Sequence, residues 1–298
     1  MPDRPSAGCC FRQGDHHRLW SGGMVIWLIC LSGIASLASC ARVPGPAATP
    51  PAGAAVAAPP VSAATDAEFR WLQQALADQV PQAILSLPTE RTRDLVGRTQ
   101  AALAGSGTAL QLPTLLVVVD RNPKVQELFI VLARADRDWQ VVGGSHVSTG
   151  QAGRRGYFIT PTGVFVHTDD ILDYRAEGTY NENHIRGLGL KGMRVWDFGW
   201  VPAVKGWRDD GETGDIRLLL HATDPDVLER RLGRTASKGC IRVPATMNEF
   251  LDKYGILDTD YEAAAAEDPR VAAVLRPDRT PTPLAGHALV VIDSSGST

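Results

Sequence analysis

Ala236-Ser237-Lys238-Gly239-Cys240-Ile241-Arg242 carries a cysteine on a Ser-x-Gly-Cys-x-Arg turn, and His221 stands nineteen residues upstream at the end of an apolar run. A thiol is a strong nucleophile only as thiolate, and a neighbouring imidazole or cation is the usual means of making it one. Lys238, Arg242 and His221 are the candidates for that role around Cys240. A histidine on an apolar strand is by itself more often a satisfied core residue than a base. Its pairing with a glycine-flanked cysteine reverses that preference here.

The other cysteines sharpen the reading. Cys9, Cys10, Cys30 and Cys40 all precede residue 41. Arg4, Arg12 and Arg18 form a basic opening, and an apolar run from Met24 to Leu37 follows. That run falls short of the ~20 residues a bilayer span needs, so it reads as the apolar core of an export signal. It ends at Leu37-Ala38-Ser39-Cys40, which looks like a bacterial lipobox. Residues 1–39 are expected to be removed, with Cys40 lipidated as the first mature residue. Cys240 is then the only thiol left, so no intramolecular disulfide is expected, although a disulfide is the ordinary use of cysteine outside the cytosol. Arg42 at the second mature position points to the outer membrane, facing the periplasm.

The 298 residues carry a formal net charge of −3, with 44% hydrophobic and 21% charged side chains. These are globular values, and no basic run suggests nucleic acid as a partner. Residues 40–65, rich in Pro and Ala, cannot build a core and read as a tether. Phe69, Leu72, Leu76 and Val80 recur at helical spacing, and Glu90–Leu103 is a second helix, so residues 66–111 are expected to be a helical accessory segment. From residue 112 the period changes. Leu115–Val119, Val125–Ala133 and Trp139–Val142 read as strands broken by Gly and Pro. Ile216–Leu220 is a later strand that delivers His221, Pro244–Tyr254 a helix with proline in its first turn, and Ala288–Ile292 a last strand. The expected fold is mainly β with accessory helices, an α+β class, over a catalytic domain at 112–293.

Val147-Ser148-Thr149-Gly150, Thr160-Pro161-Thr162-Gly163, His221 and Ser237-Lys238-Gly239-Cys240-Ile241-Arg242-Val243, in that order, resemble the catalytic domain of the L,D-transpeptidases, the YkuD family. The resemblance spans about Leu112 to Asp258 and the last strand. It implies a β-sandwich-like domain that acts in the bacterial envelope on peptidoglycan stem peptides, with no cofactor. It also implies Cys240 as nucleophile, His221 as general base and then acid, and the Ala222 carbonyl as the group that orients the imidazole. The Gly239 and Cys240 amides are expected to form an oxyanion hole, since glycine lets donors approach closely. Ser237, Lys238 and Arg242 are the expected substrate-side residues. Arg242 either fixes a carboxylate or shapes the turn, and Ser237 holds the loop or touches substrate. The acceptor is open between a stem peptide, a wall-attached protein, a free amino acid and water. A cysteine carboxypeptidase on the same fold and a non-catalytic wall-binding lipoprotein are the rival readings.

Two features depart from the family pattern. Lys238 stands where the family often has histidine, and is expected either to lower the thiol pKa or to point into solvent. Residues 168–215, with Tyr174, Tyr180, Trp196, Trp200 and Trp207, read as a lid-like insertion or as a packed surface subdomain. Gly187-Leu188-Gly189-Leu190-Lys191-Gly192 matches a dinucleotide fingerprint formally, but no apolar strand precedes it. The mature histidines have no ligand spacing, so no metal is expected.

Overall fold

The computed structural model describes residues 61–296. The leader, Cys40 and most of the tether lie outside the described residues. Two helices come first, α1 at Val61–Gln79 and α2 at Thr89–Ser106. The tether is therefore shorter than expected at its C-terminal end, because α1 begins before Asp66. Pro81 lies just beyond α1, where its missing amide hydrogen would break the ladder.

The strands β1 (Thr114–Asp120), β2 (Glu127–Ala133), β3 (Gln140–His146), β4 (Gly163–Val166) and β9 (Ala288–Ile292) form one sheet in the order β3-β2-β1-β9-β4. The strands β5 (Tyr174–Arg175), β6 (Arg194–Val204), β7 (Thr213–Ala222) and β8 (Ile241–Val243) form a second sheet in that order. Helices α3 (Ala245–Lys253), α4 (Thr259–Ala264) and α5 (Pro269–Val274) fill the chain between β8 and β9. This is the mainly β, α+β fold expected.

The pleat sorts side chains between two cores. On β1, Leu115, Val117 and Val119 join Leu218 and Leu220 of β7 and Ile241 and Val243 of β8 in the larger core. Leu116 and Val118 face the other way, onto Leu95 and Leu103 of α2. Because β1 and β2 are buried on both faces, they read as continuous apolar runs rather than alternating ones. Leu72 and Leu76 of α1 are fully buried in the larger core beside Met247 and Leu251 of α3. The two N-terminal helices are thus part of the packing of the catalytic fold, not a segment apart from it.

Residues 168–215 also differ from expectation. They contain all of β6 and the start of β7, which pair over eight residues. Trp196 is wholly buried in the core. Arg194–Val204 and the start of β7 are strands of the second sheet, so that part of the segment belongs to the sandwich itself, while 176–193 is a loop between β5 and β6. Polar and glycine-rich interruptions concealed the pairing, because a bulge between Asp197 and Trp200 breaks the alternation.

A buried polar knot anchors β6. Arg194, fully buried, places Nη2 2.8 Å from Asp173 Oδ2 and 3.2 Å from Asp258 Oδ1. His167 Nε2 lies 2.9 Å from the same Asp173 oxygen. His167, Asp173 and Asp258 could geometrically hold a metal ion, but the cation between the carboxylates is the Arg194 guanidinium. Among the described residues, no helix is long and apolar enough to cross a membrane.

Candidate active site

Strand β8 runs parallel to β7, with Leu220 beside Ile241, His221 beside Arg242 and Ala222 beside Val243. Leu220, Ile241 and Val243 go to the core. The alternate residues, Leu219, His221 and Arg242, therefore lie on the other face of the sheet. Cys240, partly buried, packs against a small cluster that includes Leu219 and Ala222. The topology thus brings Cys240 to the level of Leu219, one pleat from His221. Its Sγ lies 3.8 Å from the Arg217 carbonyl oxygen.

His221 is 2% exposed, and its Nδ1 is 2.7 Å from the Ala222 carbonyl oxygen. A carbonyl can only accept, so Nδ1 carries the proton and Nε2 is the basic nitrogen. Burial, and next the Arg242 charge, lower the imidazole pKa to about 3, against a smaller upward pull from the Ala222 bond. The ring is therefore neutral at physiological pH, in the state a general base requires.

The turn that carries Cys240 is held from behind. Ser237 is fully buried, and its Oγ donates to the Cys240 carbonyl at 2.5 Å and accepts from the Gly239 amide at 3.0 Å. Thr160, also fully buried, donates through Oγ1 to the Gly239 carbonyl at 2.7 Å and accepts from the Gly150 amide at 2.8 Å. The Thr149 carbonyl receives the amides of Ala236 and Ser237 at 3.1 and 3.0 Å. Ser148 exchanges two backbone hydrogen bonds with Arg242, both 2.9 Å. The two Thr- and Gly-rich blocks thus act as one brace for the turn. Gly239 has φ +133°, and a Cβ there would meet Ile216 Cδ1 at 2.7 Å. Only glycine fits.

Two expectations need correction. Ser237 is sealed from solvent, so it pins the turn and does not touch substrate. The Gly239 amide is occupied by Ser237 Oγ, so in this arrangement it is not presented as an oxyanion donor. Polar spacing alone could not show that a short hydroxyl side chain reaches back to the amide two residues later. Lys238 is exposed, with Nζ 5.9 Å from the centre of the Tyr157 ring. Arg242 is half-buried and donates through Nη1 to the Ala236 carbonyl at 3.3 Å, while its buried Nε has no hydrogen-bond partner. It shapes the turn and also depresses His221.

Residues 176–193, between β5 and β6, close over the site. Leu188 and Leu190 pack on the same cluster as Cys240. Gly189 has φ +90°, and a Cβ on it would meet the Ala222 Cβ at 2.7 Å. The glycine repeat that mimics a nucleotide loop therefore serves close approach to the residue that orients His221. Sequence reasoning also missed Arg217 and Asp197. The signal was available, because 217, 219 and 221 share a parity and Arg217 is the lone charge in an apolar run.

Residues 116–259 match the family model YkuD, the L,D-transpeptidase catalytic domain. The region that carries His221 and Cys240 is an L,D-transpeptidase catalytic domain of this family. Among solved structures, a fused Zn-dependent amidase/peptidase/peptidoglycan-binding domain-containing protein from Clostridium acetobutylicum ATCC 824 is similar at 12% identity. That similarity covers 76% of this chain and 80% of the other, and its TM-score of 0.27 supports no argument. No curated protein is similar enough to this chain to match it.

Proposed function

We propose that the protein is a cysteine L,D-transpeptidase of peptidoglycan stem peptides. The observation that carries this reading is the neutral, carbonyl-held His221, on the sheet face it shares with Cys240, within a YkuD domain. His221 Nε2 takes the Cys240 proton, and the sulfur attacks a peptide carbonyl carbon. As the tetrahedral intermediate collapses, the carbon–nitrogen bond breaks and His221 returns the proton to the departing amine. An acceptor amine then attacks the thioester, His221 takes its proton, and the thiol is regenerated. The acceptor is a second stem peptide, giving a 3→3 cross-link, or an amine on a wall-attached protein. Water as acceptor would make the enzyme a carboxypeptidase.

The test is incubation of the purified protein with a tetrapeptide stem and with a carbapenem, followed by mass spectrometry. A covalent adduct on Cys240 and a cross-linked dimer are expected from the wild type, and neither from Cys240→Ala. Absence of an adduct on folded wild-type protein would leave only the wall-binding reading. Free tripeptide without dimer would favour the carboxypeptidase.

The same reading includes a lipid on Cys40 that tethers the enzyme to the outer membrane, supported by Leu37-Ala38-Ser39-Cys40 after an apolar run. Cys40→Ala should release the protein from membranes or leave its leader uncleaved. Wild-type protein that fractionates as soluble, with an unmodified mature N-terminus, would refute the anchor.

A further inference from the structure

A cavity of about 320 Å³ that neither Cys240 nor His221 lines opens where four segments meet. They are the turn after α1, the end of β3, the 3-10 turn Glu229–Arg231 and the start of α3. These walls are tied to one another. Ile84 and Gly144 exchange backbone hydrogen bonds of 2.8 and 2.9 Å, which pins the turn after α1 to β3. The Leu232 amide donates to the Glu229 carbonyl at 3.0 Å, and the Gly233 amide to the Val147 carbonyl at 2.7 Å, which holds the 3-10 turn against the chain leaving β3. The cavity is therefore formed in advance of any ligand, and its volume is that of a small-molecule site.

Ser145 is the residue that asks for a ligand. It lines this cavity, it is 2% exposed, and its Oγ has no hydrogen-bond partner among the described residues. A buried hydroxyl left unpaired is costly, and the large majority of such groups in folded proteins have a partner. The charged groups around it are also uncommitted. Glu229 Oε1 accepts the Ala245 amide, the first of α3, at 2.7 Å, which fixes the carboxylate and leaves its other oxygen without a hydrogen-bond partner among the described residues. Arg230, the next residue, is exposed and makes no ion pair or side-chain hydrogen bond among the described residues. Leu232, Pro81 and Pro244 supply the apolar part of the lining.

The cavity thus offers a fixed carboxylate and a free guanidinium on successive residues, with an unpaired hydroxyl and an apolar patch. An α-amino acid offers the complement: an ammonium and a carboxylate on one carbon, beside a side chain. A simple anion would leave the Glu229 carboxylate facing like charge, and a simple amine would leave Arg230 without an acceptor. We propose that this cavity binds a free α-amino acid, with its ammonium at Glu229 and its carboxylate at Arg230 and Ser145. The site is separate from the one that holds Cys240, and it stands whether or not the protein is a transpeptidase.

The experiment is calorimetric titration of the purified protein with alanine and leucine in both hands, and with acetate and ethylamine as single-charge controls. At least one amino acid should bind saturably, with a dissociation constant of about 1 mM or tighter, and both controls more weakly. A preference for the D hand would mark amino acids released from stem peptides, one for the L hand ordinary metabolites, and either supports the site. Ser145→Ala and Arg230→Gln should each weaken binding roughly 10- to 100-fold, the range of a hydrogen bond to a charged group. Glu229→Gln keeps an oxygen for the Ala245 amide but loses the charge, so it should weaken the amino acid and leave acetate no weaker. Because the Ser145 hydroxyl is unpaired, Ser145→Ala should leave the ligand-free Tm unchanged or higher. Alkylation of Cys240 with iodoacetamide should leave binding intact. On the wild-type protein, NMR shifts of the Ser145, His146 and Thr246 amides should move with saturation, which places the ligand without any variant. Four results overturn the proposal: no saturable binding of any of these amino acids, an affinity that Ser145→Ala or Arg230→Gln leaves unchanged, acetate bound as tightly as the amino acid, or binding lost on alkylation of Cys240. The last would put the amino acid in the catalytic site instead.

Discussion

Ser237→Ala separates a residue that touches substrate from one that builds the turn. The hydroxyl is fully buried and serves two backbone groups, the Gly239 amide at 3.0 Å and the Cys240 carbonyl at 2.5 Å. Its removal leaves the Gly239 amide without that acceptor inside the protein, at a cost of about 1–3 kcal/mol. Loss of the bond to the Cys240 carbonyl adds about 0.5–1.5 kcal/mol, so the total is roughly 1.5–4.5 kcal/mol. For a fold of this size each kcal/mol moves Tm by about 2–4 °C, so a fall of roughly 3–18 °C is expected in calorimetry. Because the turn carries Cys240, iodoacetamide modification of that thiol should also change in rate. The alanine variant leaves the Gly239 amide unclaimed, so an oxyanion role for that amide would show as acylation retained despite lower stability. A Tm within 1 °C of wild type, with a raised KM as the sole kinetic defect, would refute the structural role and restore Ser237 as a substrate contact.

Removing the base in His221→Ala should lower acylation by ~10²–10⁴-fold at neutral pH, with partial rescue at high pH, and a wild-type rate at pH 7 would exclude it as the base. The His221 pKa of about 3 lies below the ordinary imidazole value of 6.5. Between those values the unfolded chain binds the extra proton, so this group reduces stability as pH falls from about 6.5 towards 3, and urea midpoints should follow that direction. Arg242→Gln removes a charge that lowers this pKa, so NMR titration of the ring should give a higher value, and an unchanged one would deny the coupling. Gly239→Ala combines a positive φ with a Cβ 2.7 Å from Ile216 Cδ1, and should cost at least ~1–3 kcal/mol and most activity, read by thermal melts and turnover. Lys238→Gln should raise the pH midpoint of Cys240 alkylation and weaken its salt dependence, and an unmoved midpoint would make Lys238 a surface residue held at Tyr157.

The residues proposed to do the chemistry were legible because their types and order are themselves the signal. Cys240, His221 and the Ser148 and Thr160 blocks declared the family, and the apolar runs of β1, β2, β7 and β9 declared a mainly β domain. Local rules also placed α2 and α3 to within a few residues, since Pro244 and the glycines after these helices act on their own neighbours. What lay outside the sequence's reach depends on groups far apart in the chain. Polar and glycine-containing β6 becomes a central strand only because β7 offers it a partner, and Trp196 becomes core only because the two sheets face each other. Ser237 looked available to substrate until the brace from Thr149 and Thr160 enclosed it. Arg217 and Asp197, twenty residues apart, meet through the register across a bulge that no periodicity announces. Covalent neighbours set helix ends, turn chemistry and the identity of the candidate nucleophile. Burial, the protonation state of His221 and the direction of Arg217 are properties of the environment, and only tertiary packing supplies an environment.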